Sequence, residues 1–169
     1  MAAATSQHHA SAAAPLPVAG RRVPQEWIDY NGHMNESRYL QAFSEAGDVF
    51  LAMIGADPCY VARGHSFFTA ETHLRHLREM KPDADFSITL QILGADEKRV
   101  HIWQEMHRAA DGAIAATCEQ MLLHVGVAVG RACPVLPEVR ARLDPIVAAH
   151  AGLPRPAAAG RSIGLGARP

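Results

Sequence analysis

The sequence has no long apolar run, little net charge, few aromatic side chains and almost no cysteine, and each shortage removes a class of protein. Nothing approaches the roughly 18 uninterrupted apolar residues of a membrane span, so no membrane partner is expected. The Ala-rich start lacks the basic and Leu-rich regions of a secretory leader. A formal net charge of -1 at pH 7 lacks the footprint of a nucleic-acid binder, and none is expected as partner. Cys59, Cys118 and Cys133 are odd in number, widely spaced and form no C-x-x-C pair; buried free thiols in a cytoplasmic protein are the expectation. The ten histidines show no metal-ligand spacing, so no metal is expected. Neither a P-loop nor a dinucleotide-binding glycine motif occurs, which leaves ATP and NAD without a cradle.

What is present suits one soluble globular domain. The chain has 169 residues, 49% hydrophobic and 20% charged, enough for one full core and too few for two. Residues 1–20 carry eight alanines and no charged side chain, and residues 154–169 are dominated by Ala, Gly, Pro and Arg. Both read as disordered tails around a domain at 21–153. That domain holds all 17 acidic residues against thirteen basic ones, a balance of -4. No internal repeat of solenoid period is present.

Within the domain an extended run over 21–28 leads into a turn at 29–33 and then a helix. Asn35 is a suitable N-cap, Glu36 lies where the helix dipole favours an anion, and Tyr39, Phe43, Ala46, Phe50 and Met53 recur at helical spacing up to a stop at Gly55. Strand character follows over 66–79, 86–93, 99–108 and 113–127, with hairpin-like separators at Lys81-Pro82-Asp83, at 94–97 and at 110–112. A short second helix near 137–149 is interrupted by Pro145. One strand, one long helix and a meander predict an α+β domain, an antiparallel sheet wrapped on a single helix.

The segment Trp27-Ile28-Asp29-Tyr30-Asn31-Gly32-His33-Met34-Asn35 stands where the extended run hands over to the helix. Free N–H groups at a helix start can hold a developing oxyanion, and a glycine beside them lets a carbonyl approach. Asp29 can attack such a carbonyl or activate water. The same residues also suit an ordinary turn in which Asp29 and Asn35 only cap backbone groups.

The D-x-x-G-H-M-N motif, opening a Tyr-containing amphipathic helix, resembles the 4-hydroxybenzoyl-CoA thioesterase-like branch of the hotdog-fold superfamily. Ser66-Phe67-Phe68-Thr69-Ala70-Glu71-Thr72-His73 and the Asp96-Glu97-Lys98-Arg99-Val100-His101 run narrow the resemblance to the betainyl-CoA thioesterases of carnitine catabolism. The resemblance spans about Arg21 to Val127. It implies a hotdog fold, at least a homodimer or homotetramer with sites between subunits, and hydrolysis of betainyl-CoA to glycine betaine and CoA, with no cofactor beyond the CoA of the substrate. Asp29 falls on the family's carboxylate, and the backbone N–H of Glu36 on its carbonyl-polarising amide. Gly32, His33 and Asn35 fall on shape-setting positions. Glu71 can orient water or offset a substrate cation, or simply pair with Arg75; Thr72 points to the opposite face of its strand.

A trimethylammonium group is typically held by aromatic faces. Trp27 and Tyr30 flank Asp29 and are the first candidates, followed by Phe68 and Trp103, with core packing the alternative for Phe67, Phe68 and Trp103. Lys98 and Arg99, with Arg75, Arg78 and Lys81, are candidates for the CoA phosphates. A neutral short-chain or aromatic acyl-CoA, or CoA binding without turnover, are the alternative readings.

Overall fold

The computed structural model describes residues 14–165. The expected N-terminal tail lies outside the described residues over 1–13, as does 166–169 of the C-terminal one. The long helix, α1 (Glu36–Met53), begins where Asn35 turns its side-chain oxygen back to accept the Ser37 N–H at 3.0 Å. Its buried face is Tyr39, Ala42, Phe43, Ala46 and Phe50. Met53, expected on that face, is 47% exposed, and Ile54 just past the helix end is buried instead. The helix terminates at Gly55, whose φ of +84° is the left-handed geometry of a C′ residue.

Five strands curl around this helix: β1 (Leu16–Arg22), β2 (His65–His76), β3 (Asp85–Ala95), β4 (Arg99–Arg108) and β5 (Ile114–Gly126). They run antiparallel in the order β1-β3-β4-β5-β2, and a two-residue β6 (Arg131–Ala132) pairs with β5. The alternating residues Phe86, Ile88, Leu90 and Ile92 of β3, Val100, Ile102 and Met106 of β4, and Cys118 and Leu122 of β5 share one core cluster with α1. Each large side chain so buried contributes about 1.5–3 kcal/mol. Burial pushes the Cys118 thiol up to about 12, so it is an inert core group; Cys59, expected to be buried, is exposed.

Several expectations are corrected. The extended run placed at 21–28 is displaced: β1 spans Leu16–Arg22, inside the segment read as a tail, and Pro24 then starts a 3₁₀ turn at Gln25–Trp27. Alanine-rich composition hid this strand, whose apolar Val18 is buried against the sheet. Lys81-Pro82-Asp83 does not close a hairpin, because β2 and β3 stand at opposite sides of the strand order. Residues 77–84 cross beneath the sheet instead, held by Met34 N–H to Met80 O (2.8 Å) and Val23 N–H to Ala84 O (3.0 Å). A short helix α2 (Pro58–Ala62), capped by Asp57, replaces an expected loop. The helix α3 (Pro137–His150) runs through Pro145 without a break; Pro145 is exposed, so no neighbour opposes the local distortion.

The segment after Leu153, as far as it is described, lies against the sheet. The Gln91 amide donates to Pro154 O at 3.2 Å, and the Gly160 N–H reaches both carboxylate oxygens of Glu119 at 2.9 and 2.8 Å. This strap covers the outer sheet face, which explains how Glu119 stays 8% exposed on a strand expected to show water its polar side. Among the described residues no helix is long and apolar enough to cross a membrane.

Candidate active site

The turn before α1 is built by its own backbone. Gly32 N–H donates to Asp29 O (3.0 Å), Asp29 N–H to His33 O (2.9 Å), and an isolated bridge joins Ile28 to Met34. Gly32 sits at φ +76°, where a side chain is strained; a Cβ there would touch nothing within 4 Å, so backbone conformation and not crowding demands the glycine. The Asn35 N–H closes the motif on Trp27 O at 2.8 Å. Within this frame Asp29 Oδ1 accepts the Asn31 N–H at 2.8 Å, and Oδ2 has no partner among the described residues.

Asp29 opens onto a groove of about 460 Å³ that also takes in His33, Glu36, Tyr39, His76 and Arg78. The N–H of Glu36 is the first of α1. The Ser37 N–H is taken by the Asn35 side chain and the Arg38 N–H by Asn35 O, whereas no acceptor is paired with Glu36 N–H among the described residues. A carboxylate oxygen and a free amide at the positive end of an 18-residue helix therefore share one groove. The far wall is the crossing segment, fixed by Tyr39, whose hydroxyl accepts the Met80 N–H at 3.0 Å. Burial holds the Tyr39 phenol above its ordinary value, so it stays protonated. At the groove rim His33 Nε2 lies 2.9 Å from Glu79, and Lys81 pairs with the same carboxyl at 3.0 Å. Lys81 first, and His33 after it, hold the Glu79 carboxyl below its ordinary value.

Residues 23–143 match the Thioesterase-like superfamily. The chain belongs to this superfamily. Its architecture is accordingly the hotdog, α+β with a curled antiparallel sheet around α1. It is 48% identical over 153 residues to the L-carnitine dehydrogenase/betainyl-CoA thioesterase of Rhizobium meliloti (strain 1021), covering 90% of this chain and 31% of that one. The chain thus spans about a third of the fused relatives it matches. It is 45% identical to the betainyl-CoA thioesterase of Pseudomonas aeruginosa, covering 85% of this chain and 91% of the other. Among solved structures, a provisionally named thioesterase of Pseudomonas putida KT2440 superposes with a TM-score of 0.78 at 35% identity, over 91% of this chain and 99% of that one. The Staphylococcus aureus protein SAV2348, solved in complex with CoA, gives 0.83 at 24% identity over 89% and 96%, a likeness of fold.

In this thioesterase-like chain the other site residues read from the sequence separate. Glu71 is exposed on β2 and lines a different groove, of about 280 Å³, with His73, His101 and Glu119 on the outer sheet face. No ion pair joins it to Arg75 among the described residues. Thr72 faces the other way, 3.4 Å from the Gln120 amide. Trp27 is a core residue, 4% exposed, with the Arg21 guanidinium 4.5 Å over its ring, so the ring already holds a cation. Trp103 is equally buried on the outer face and donates to Glu105 at 3.0 Å. Tyr30 and Phe68, 96% and 52% exposed, have free faces. Arg99 is tied to Asp96, which that bond holds at about 2, and Lys98 donates its backbone N–H to the same carboxyl. Arg99's charge is thus largely matched within its own hairpin. Tyr39, read as core, also lines the groove together with Arg78, one of the candidates for the CoA phosphates, and His76 and Glu79 enter it unforeseen. The sequence signal was slight: strands read at 66–79 and 86–93 leave six residues between them, just more than a hairpin loop of about 2–5 residues.

Proposed function

We propose that the chain hydrolyses a short acyl-CoA thioester, and that this thioester is betainyl-CoA, yielding glycine betaine and CoA. The observation that carries the reading is the shared groove of Asp29 and the unpaired Glu36 N–H. The thioester carbonyl oxygen is directed at that N–H, which gains strength as the oxygen becomes anionic. Asp29 Oδ2 then either takes a proton from the attacking water or attacks the carbonyl carbon itself; in both cases the C–S bond breaks and CoA leaves as thiolate, and in the second the Asp29–acyl anhydride so formed is cleaved by water, which releases the acid and restores the carboxylate. Gly32, His33 and Asn35 set the shape of the turn.

The acyl group is read from relatives named for betainyl-CoA and from the groove's charge, since the Asp29 and Glu36 carboxylates, without an ion-pair partner among the described residues, suit a permanent cation. Tyr30 offers an aromatic face next to Asp29. Arg78, in the same groove, is the first cation available to the CoA phosphates, ahead of Lys98 and Arg99. A protein of the same fold has been solved with CoA.

Glu71 and Asp29 line separate grooves of one chain, so joint action requires a second copy. The edge strand β2 supplies a surface for it: twelve residues, with exposed Phe68, Thr69 and Glu71 and, among the described residues, one side without a strand partner. Sedimentation of a dimer or larger is expected; a monomer throughout the working concentration range would remove Glu71 from the mechanism.

The decisive assay is CoA release from acetyl-, butyryl-, benzoyl- and betainyl-CoA. Betainyl-CoA is expected to lead, and Asp29→Asn to lower turnover by about 10²-fold or more while the fold is retained. Near-normal release by Asp29→Asn would overturn the mechanism, and preference for a neutral acyl group would overturn the substrate.

A further inference from the structure

We infer that His65, His124 and Cys133 form a binding site for a borderline-soft divalent cation, represented by Zn²⁺, remote from the thioesterase groove. Their ring nitrogens and thiol sulfur lie within 4.8 Å of one another. The three residues are far apart in sequence and are brought together by pairing: His65 opens β2, His124 lies near the end of β5, and Cys133 follows β6 and returns its N–H to His124 O at 3.1 Å. The groove of Asp29 lies at the other end of β2, beside His76 and Leu77.

Three observations point to a cation. The Cys133 Sγ is 3.4 Å from His124 Nδ1, close to the roughly 3.5 Å that separates sulfur and nitrogen on a tetrahedral zinc with bonds of about 2.3 and 2.0 Å. The His65 Nδ1 is buried with no hydrogen-bond partner among the described residues, an unspent lone pair or N–H beside that couple. The second nitrogen of His124, Nε2, is 2.7 Å from the hydroxyl of buried Tyr60, the kind of outer partner that fixes a metal-ligating imidazole.

Without an ion, His124 Nδ1 donates to the Cys133 carbonyl at 2.9 Å. On binding, that ring proton moves to Nε2 and is donated to the Tyr60 oxygen, and the Cys133 thiol releases its proton to solvent, one proton per ion. Three protein ligands leave a fourth position for water. His65 and Cys133 are only half-buried, so the ion has access, and once bound it ties the β5–β6 turn to the start of β2.

The test uses the full chain without an affinity tag, titrated with Zn²⁺ against a chromophoric chelator. One ion per chain is expected, with affinity lowered at least about tenfold by Cys133→Ser and by His65→Gln. Co²⁺ in place of Zn²⁺ is expected to show a thiolate charge-transfer band that Cys133→Ser abolishes. A measurement independent of any variant is alkylation of the wild-type protein followed by peptide mass spectrometry: Zn²⁺ should protect Cys133 and leave exposed Cys59 reacting as before. Absence of stoichiometric binding, or binding that neither variant weakens and that leaves Cys133 alkylated at its original rate, assigns the metal to other histidines and overturns the inference.

Discussion

Removing one oxygen from the interior tests whether the groove wall is held as described. In Tyr39→Phe the ring keeps its volume, its place in the core and its edge contact with His76, whose ring centre is 4.9 Å away at 87°. Only the hydroxyl is lost, and with it the acceptor for the Met80 N–H at 3.0 Å. Its second contact, to Arg78 O at 3.5 Å, is at the limit of a hydrogen bond and contributes little. Met80 is wholly buried and Tyr39 is 3% exposed, so water cannot replace the oxygen. A stranded buried donor costs about 1–3 kcal/mol. With a urea slope near 2 kcal/mol per molar, the unfolding midpoint should fall by about 0.5–1.5 M with the slope unchanged. Wild type and variant must be compared at equal protein concentration, since a self-associating chain gains stability from association. Met80 O also accepts the Met34 N–H beside Asp29, so the loosened wall should lower CoA release as well, though less than Asp29→Asn does. A midpoint within about 0.2 M of wild type would mean that the Met80 N–H is solvated, and the account of the wall would fail.

Two further outcomes follow from particular groups. The His150 Nδ1 accepts the Ile92 N–H at 2.9 Å, which only an unprotonated nitrogen can do, and burial lowers the pKa of this ring in the folded state. The unfolded chain therefore binds the proton more readily, so stability present above about pH 6.5 is lost as pH falls toward the folded value. Urea midpoints should decline from pH 7.5 to 5.5, and His150→Gln should flatten that decline; equal slopes in the two proteins would refute the assignment. At Gly32, substitution by Ala forces a φ of +76° on a residue with a Cβ, at a cost of about 1–2 kcal/mol, with Asn costing less. CoA release should fall in the order Gly32, Asn, Ala, and an Ala variant of unchanged activity would show that the turn's shape is immaterial.

The helix and its motif were legible because their signals are local. Asn35, Glu36 and Gly55 act within a turn of their own backbone, and the apolar period of α1 needs no knowledge of the sheet. The limits of β4 and most of β5 were legible for the same reason, through strand character bounded by turn-like separators. Asp29 and Glu36 are seven residues apart around one helix start, so their common groove follows from the turn between them. The aromatic candidates were read less well: proximity in sequence placed Trp27 beside Asp29, but Trp27 closes a 3₁₀ turn and packs into the core, while Tyr30 sits in the tight turn that follows and faces out.

What escaped depends on pairing between distant segments. Turn composition reports that a chain reverses, not which strand it then joins. Lys81-Pro82-Asp83 thus looked like a hairpin, although β2 had the partner β5 and β3 had β1. That one change of partner has a functional consequence. A hairpin at 77–84 would have left the start of α1 open on that side; the crossing segment instead brings Arg78 and Glu79 to Asp29. The same logic unites His65, His124 and Cys133, whose separations of 59 and 9 residues match no ligand motif yet converge because β2, β5 and β6 are neighbours. In a sheet that returns its last strands to its second, chemistry is assembled across strand partners. Charge at the groove follows from this too: Asp29 comes from the turn, Glu36 from the helix, and Arg78 and Glu79 from the crossing segment, and only the topology makes them one surface.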